Sequence, residues 1–295
     1  MTGSEQGTIA KETRPAGVLI KNAYGKSKVR VSKLTRSNDR HIFKEVCVDV
    51  QLQGDFERTY TVGDNSQVVA TDSMKNMVYV LASKHPLDTI ESFGQYMADH
   101  YLKSYKQVSG VKVHLVEELW QRIVVNGKEH AHSFFGAGPE KRVAEVEATR
   151  DGVTVKSGIE GLKLVKTTAS EFWGFVRDEH TTLPDVTDRI FGTIVSCNWL
   201  YQTAKVDYQG VYESVRDSLL ECFATHHSLA VQHTINEIGQ LVLARVPEIS
   251  EVTIEMPNQH RIPFNLQPFN LENKNEIFVT TDEPHGLISA TLKRN

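Results

Sequence analysis

The chain has 295 residues, enough for one large domain or two ordinary ones with a sizeable core. At 40% hydrophobic and 24% charged, with 33 basic against 37 acidic residues and a formal charge of −4, it has a globular composition. That balance excludes a basic footprint for nucleic acid.

Three widely spaced cysteines, Cys47, Cys197 and Cys222, argue for reduced thiols in a cytoplasmic setting rather than a disulfide framework. No apolar run approaches the roughly 18 residues of a membrane span, so no membrane partner is expected. The terminal Lys293-Arg294-Asn295 is not the Ser-Lys-Leu address of peroxisomal import.

Residues 1–17 are rich in Gly, Ser, Thr and Glu and read as a flexible tail, with structure expected from Val18. Val29 and Val31 alternate with Arg30 and Ser32, and Val46, Val48, Val50 and Leu52 alternate with Cys47, Asp49 and Gln51. Two half-buried strands joined by a turn at SNDRH therefore open the fold. From Tyr60 to Ala82 the mixture of Gly, Asp and Asn with apolar residues reads as a loop carrying Thr71-Asp72, then a short helix. Asp88 and Glu91 read as a capping pair for a helix of about 18 residues, with Ile90, Phe93, Met97, Tyr101 and Tyr105 on one face. Period two returns at Val111, Val113 and Leu115, and Asn126-Gly127 signals a type I′ hairpin.

The first half thus reads ββααββ and ends at the charged GPEKR of 138–142. The second half repeats that order. Strands at 143–149 and 153–165 flank Asp151-Gly152, Asp207 caps a helix with Tyr208, Val211, Val215, Leu219 and Cys222 on one face, and Ser228 caps another with Val231, Ile235, Ile238 and Val242. Strands are expected around 250–256, 261–267, 276–281 and 287–293. Residues 168–206 read as an insertion, and the predicted units are 18–139 and 140–295, two copies of one design.

The insertion holds the densest group of stacking and hydrogen-bonding side chains, Ser170 to Arg189 (SEFWGFVRDEHTTLPDVTDR). Phe172 offers a flat face and Arg189 a rigid five-donor fork, which suits a planar, anionic, heteroaromatic ligand. Lys26, after Tyr24-Gly25, is either a solvated edge charge or a base. Thr71-Asp72 sets a hydroxyl beside a carboxylate, or merely caps a helix. Val231-Gln232 lies in the first turn of a helix, where free N–H groups favour an anion and a carboxamide can read a carbonyl and a ring N–H together. Asn258 reads as part of a Pro-Asn turn, and His260 as a proton relay or a structural histidine. The pairs His130/His132, His226/His227 and His233 raise a metal site, but no carboxylate or cysteine stands at ligand spacing, and no metal is expected.

Six separated segments resemble the urate oxidase (uricase) family, in that family's order, from about Tyr24 to Leu292. They are YGK at 24–26, ATDS at 70–73, HSF at 132–134, the Ser170–Arg189 stretch, Ser-x-x-Val-Gln at 228–232 and PNQH at 257–260. The resemblance implies an α+β tunnelling fold (T-fold) of two ββααββ repeats, with antiparallel sheets and helices on one face, oligomerising into a barrel. It implies a homotetramer with active sites at subunit interfaces. The implied reaction is oxidation of urate by dioxygen and water to 5-hydroxyisourate and hydrogen peroxide in purine catabolism, with no metal or organic cofactor.

Carried over residue by residue, Phe172 would stack on the purine, Arg189 would clamp it, and Gln232 with the Val231 backbone would read the opposite edge. Leu183 and Ile288 would line the pocket, and the Asp72 backbone would meet the ligand. Lys26 and Thr71, the latter from a neighbouring subunit, would form a proton-shuttling dyad completed by His260, with Asn258 holding dioxygen or water above the ring. Arg177, Asp178, Glu179 and Asp185 are left to structural pairing. Gln259 stands where many members carry Lys, which leaves open a changed proton path at His260. A metal-dependent pterin or purine hydrolase of the same architecture and a non-catalytic purine-binding protein are the rival readings.

Overall fold

Apolar residues at period two build one long antiparallel sheet in the computed structural model, which describes residues 16–295; residues 1–15 of the expected tail lie outside the described residues. In chain order the elements are β1 (Tyr24–Thr35), β2 (Ile42–Gly54), α1 (Glu57–Val62), α2 (Thr71–Lys84), α3 (Ile90–Ser104), β3 (Val108–Val125) and β4 (Lys128–Thr149). There follow β5 (Val153–Lys166), β6 (Phe191–Tyr201), α4 (Tyr208–Thr225), α5 (Val231–Arg245), β7 (Ile249–Glu255), β8 (Asn258–Gln259), β9 (Arg261–Pro263), β10 (Phe278–Thr280) and β11 (Ser289–Lys293). The main sheet runs β1-β2-β3-β4-β5-β6-β7-β11, with β8 paired to β6, while β9 and β10 form a separate ribbon.

One face of this sheet is apolar. Val46, Val48, Val50, Val113, Leu115, Val146, Ile159, Val195, Trp199 and Ile254 are all buried beneath the helices. The helices meet that face with matching stripes: Ile90, Phe93, Met97 and Tyr101 on α3, and Ile235, Ile238 and Val242 on α5. The opposite face carries cross-strand ion pairs, such as Lys112 to Glu145 at 2.7 Å and to Glu147 at 2.8 Å. The Asn126-Gly127 turn has φ of 51° and 77°, both positive as a type I′ hairpin requires.

Several sequence expectations are corrected. Thr71 and Asp72 sit in the first turn of a 14-residue helix rather than in a loop. The N-cap of α3 is Thr89, whose side chain accepts from Ser92 N, and the helix has 15 residues. Asp88 supports that cap from outside by accepting from Ser92 Oγ. Glu91 caps nothing: it is fully buried and paired with Arg142. Ser228 does not cap α5 either, since the N-cap is Ala230 without a side-chain bond. The supposed insertion contains β6, an 11-residue strand inside the sheet, so the irregular stretch before it shrinks to 167–190. The four strands expected after residue 250 pair in a nested way, β7 with β11 around β9 with β10. Strand β4 runs without a break through 139/140, and the division into repeats there stays an expectation.

Candidate active site

The stretch from Ser170 to Arg189 has little regular structure, yet backbone bonds hold it as a wall. Phe172 and Val186 exchange two hydrogen bonds of 2.8 and 3.0 Å, and Arg189 N donates to Ser170 O at 2.9 Å. These bonds bring Arg189 Cζ to 5.4 Å from the centre of the Phe172 ring. The foot of the wall is tied to the lead-in of α5, because Glu171 N donates to Ser228 O at 2.7 Å and Ser228 N donates to Ala169 O at 2.9 Å. The Ser228 hydroxyl is occupied with Ala230 O and Thr234 Oγ1, which leaves the first amides of α5, at Val231 and Gln232, without a side-chain cap. Such a helix start presents N–H donors to an anion.

Strand β8 completes this end. Gly192 pairs with Gln259 and Thr193 with Asn258, so the strand that leaves the wall carries Asn258 and His260 alongside Arg189. The returning chain clamps the same segment: Asn258 N donates to Gly286 O at 2.7 Å and Met256 N to Ile288 O at 2.8 Å. A cavity of about 530 Å³ lies here, bordered by Leu183, Arg189, Asn258 and His260. Arg189 Nε is buried without a partner, an unspent donor beside the cavity. Burial lowers the proton affinity of Arg189 and is the largest cause of the same shift at His260, where Arg189 and His285 add to it. Gln259 is buried, and its Nε2 donates to Asp282 Oδ1 at 3.2 Å. His285, 25 positions after His260, offered no signal in the sequence as its neighbour.

Lys26, Thr71 and Asp72 lie elsewhere. Gly25 passes so close to β2 that a Cβ there would stand 1.8 Å from Val50 O, and the ladder shifts register between Lys26 and Val29, with Lys28 at φ 60°. This bulge re-aims the half-buried Lys26. The Tyr24 hydroxyl accepts from Val69 N at 2.8 Å, fastening β1 to the start of α2. Asp72 is held below the usual carboxylate range mainly by its bond to Lys75, with Lys26 adding a smaller share. Like α5, α2 starts without a side-chain cap. Lys26 thus belongs with Thr71 and Asp72 on the β1 edge, and the wall lies five strands away, roughly 25 Å along the sheet.

A family model described as "Uricase" matches residues 22–147 and 155–289. The chain belongs to the uricase family. The uricase of Arthrobacter globiformis is 43% identical over 97% of this chain and 93% of its own length. That of Dictyostelium discoideum is 42% identical over 94% of this chain and 98% of its own. The crystal structure of the Arthrobacter globiformis uricase superposes with a TM-score of 0.90 over 95% of this chain and 96% of that one. A Bacillus sp. TB-90 urate oxidase at 26% identity superposes with 0.82 over 92% and 100%. The α+β architecture is therefore that of the uricase tunnelling fold.

The histidine pairs raised the rival reading of a metal site. The rings of His130 and His132 are 4.4 Å apart and those of His226 and His233 4.5 Å apart. Yet among the described residues no group of three or more His, Cys, Asp or Glu is arranged to hold a metal ion. No helix among them is long and apolar enough to cross a membrane.

Proposed function

We propose that this urate oxidase holds the urate anion at the Arg189 end of the chain and oxidises it with dioxygen and water to 5-hydroxyisourate and hydrogen peroxide, without a metal or organic cofactor, as a step of purine catabolism. The observation that carries the reading is Arg189: half-buried, with its Nε buried and unpartnered, and set over Phe172. A planar anion stacked on Phe172 supplies the missing acceptor for that fork. The Val231 amide and Gln232, at the uncapped start of α5, read the opposite edge of the purine, with Leu183 and Ile288 at its rim. Removing a second proton from urate makes the ring electron-rich enough to reduce dioxygen. His260 and the Lys26–Thr71 dyad relay that proton, and Asn258 holds dioxygen or water above the ring.

One group lies on the β1 edge and the other at the inner strand β6, five strands away, so a second copy of the chain brings Thr71, Asp72 and Lys26 to the wall. This supports a homotetramer closed into a barrel with sites at subunit interfaces. Lys26 then comes from the same neighbour as Thr71. The division into repeats 18–139 and 140–295 belongs to the same proposal, supported by the matching uncapped starts of α2 and α5. Three unpaired cysteines favour a cytoplasmic setting.

Urate consumption and peroxide release by protein dialysed against strong chelators test the reading. One peroxide per urate is expected, at undiminished rate. Activity that disappears on chelation and returns only with added metal would refute the cofactor-free mechanism, and urate binding without peroxide under air would favour a binding protein.

A further inference from the structure

We propose that Phe175 and Arg177 are positioning residues for the substrate: they form a fixed backing layer on one face of Phe172 and leave its other face to the purine. The inference rests on the reading of Phe172 as the stacking residue. The rings of Phe172 and Phe175 are parallel within 8°, with centroids 4.9 Å apart. The Arg177 guanidinium lies over Phe175 at 4.8 Å. Phe175 is thus engaged by both Phe172 and a cation. Phe172 has Phe175 stacked on it, and the other group over its ring is Arg189 Cζ at 5.4 Å, the clamp proposed for the same purine.

The layer is anchored from within the wall. Arg177 pairs with Asp185 at 3.0 Å and donates to Leu183 O at 3.2 Å. The other Asp185 oxygen accepts from Gly174 N at 3.1 Å, where φ of 71° turns the chain between the two aromatics. Asp178 Oδ1 accepts from His180 N and Thr181 Oγ1, both at 2.9 Å, and closes the tip. Phe175 therefore stands in a built position. Displacing it would break the Arg177 contacts, which speaks against Phe175 as a plug that yields its place to the purine. Arg177 also ties the backing layer to the backbone of Leu183 at the pocket rim.

The test compares Phe175→Leu, Phe175→Tyr, Arg177→Gln and Phe172→Leu in the full chain, by kcat and KM in air and by urate binding under nitrogen, where no oxidation follows. Phe175→Leu should raise KM and the anaerobic Kd together by about 5–10-fold, the scale of one aromatic stack, with kcat nearly unchanged. Arg177→Gln should show the same pattern with a smaller rise, and Phe175→Tyr, which keeps the ring, should bind urate as the parent does. Tighter binding in Phe175→Leu would overturn the proposal, because Phe175 would then occupy the purine's place. Unchanged binding in Phe175→Leu beside weakened binding in Phe172→Leu would overturn the backing layer alone. Unchanged binding in Phe172→Leu would overturn the stacking role as well.

Discussion

The relay role proposed for His260 depends on what surrounds the ring. Burial, Arg189 and His285 each disfavour its protonated form, so the neutral imidazole persists to a lower pH than an ordinary histidine allows. If a neutral His260 accepts the substrate proton, the acid limb of kcat/KM falls below the usual histidine value of about 6.5. His285→Asn removes one of the two neighbours that add to this shift, so that limb should move to higher pH. An unmoved limb would mean that His260 does not set it. Arg189 admits a second test at this scale. Arg189→Lys keeps the charge and loses the fork, so kcat/KM should fall by roughly 100-fold, the equivalent of one or two charge-assisted hydrogen bonds. A loss below threefold in steady-state kinetics would remove the clamp from the mechanism.

Between elements, a buried ion pair joins the two halves of the chain. Arg142 on β4 donates to Glu91 on α3 at 2.9 and 3.3 Å, to Gln209 Oε1 at 2.6 Å and to Tyr208 O at 3.1 Å on α4, and lies 4.5 Å over the Tyr212 ring. Ser157 on β5 donates to the same carboxylate. Burial raises the Glu91 pKa, and Arg142 opposes that rise. Arg142→Met strands the carboxylate and should cost about 3–5 kcal/mol of stability at neutral pH. Because the stranded Glu91 has a folded-state pKa above its unfolded value, the deficit should shrink as pH falls and the group protonates. Thermal midpoints at pH 7.5 and 5.5 check this, and an equal deficit at both would show that Glu91 is not the cause. None of this pair was legible in the sequence, where Arg142 reads as part of a charged loop and Glu91 as a cap, because the partners are 51 positions apart. The period-two strands, the stripes of α3 and α5 and the Asp207 cap were legible, since each depends on neighbours along the chain. Strand β6 was not: it buries Thr193 beside Phe191 and Val195, and its pattern merges with the polar motif before it. The same distinction explains Ser228, which bonds to Thr234 and the wall instead of capping the helix that follows.

At the scale of the molecule, Lys26 with Thr71 lies at the β1 edge of the sheet, and Arg189 lies five strands away, before β6. If two copies share each site, Lys26→Ala and Arg189→Gln chains, each inactive alone, should complement when co-assembled. Random mixing restores about one quarter of the sites, since half the walls meet half the intact dyads. Absence of any recovered turnover in mixed assemblies would place all the machinery within one chain. The uncapped starts of α2 and α5 have a further consequence. A urate bound between them would act as a molecular rivet, bonded to one chain on each side, so substrate would drive assembly as well as be consumed by it. Under nitrogen, urate should then lower the concentration at which subunits separate, and a diluted stock without it would lose turnover while its circular dichroism stayed that of folded chains.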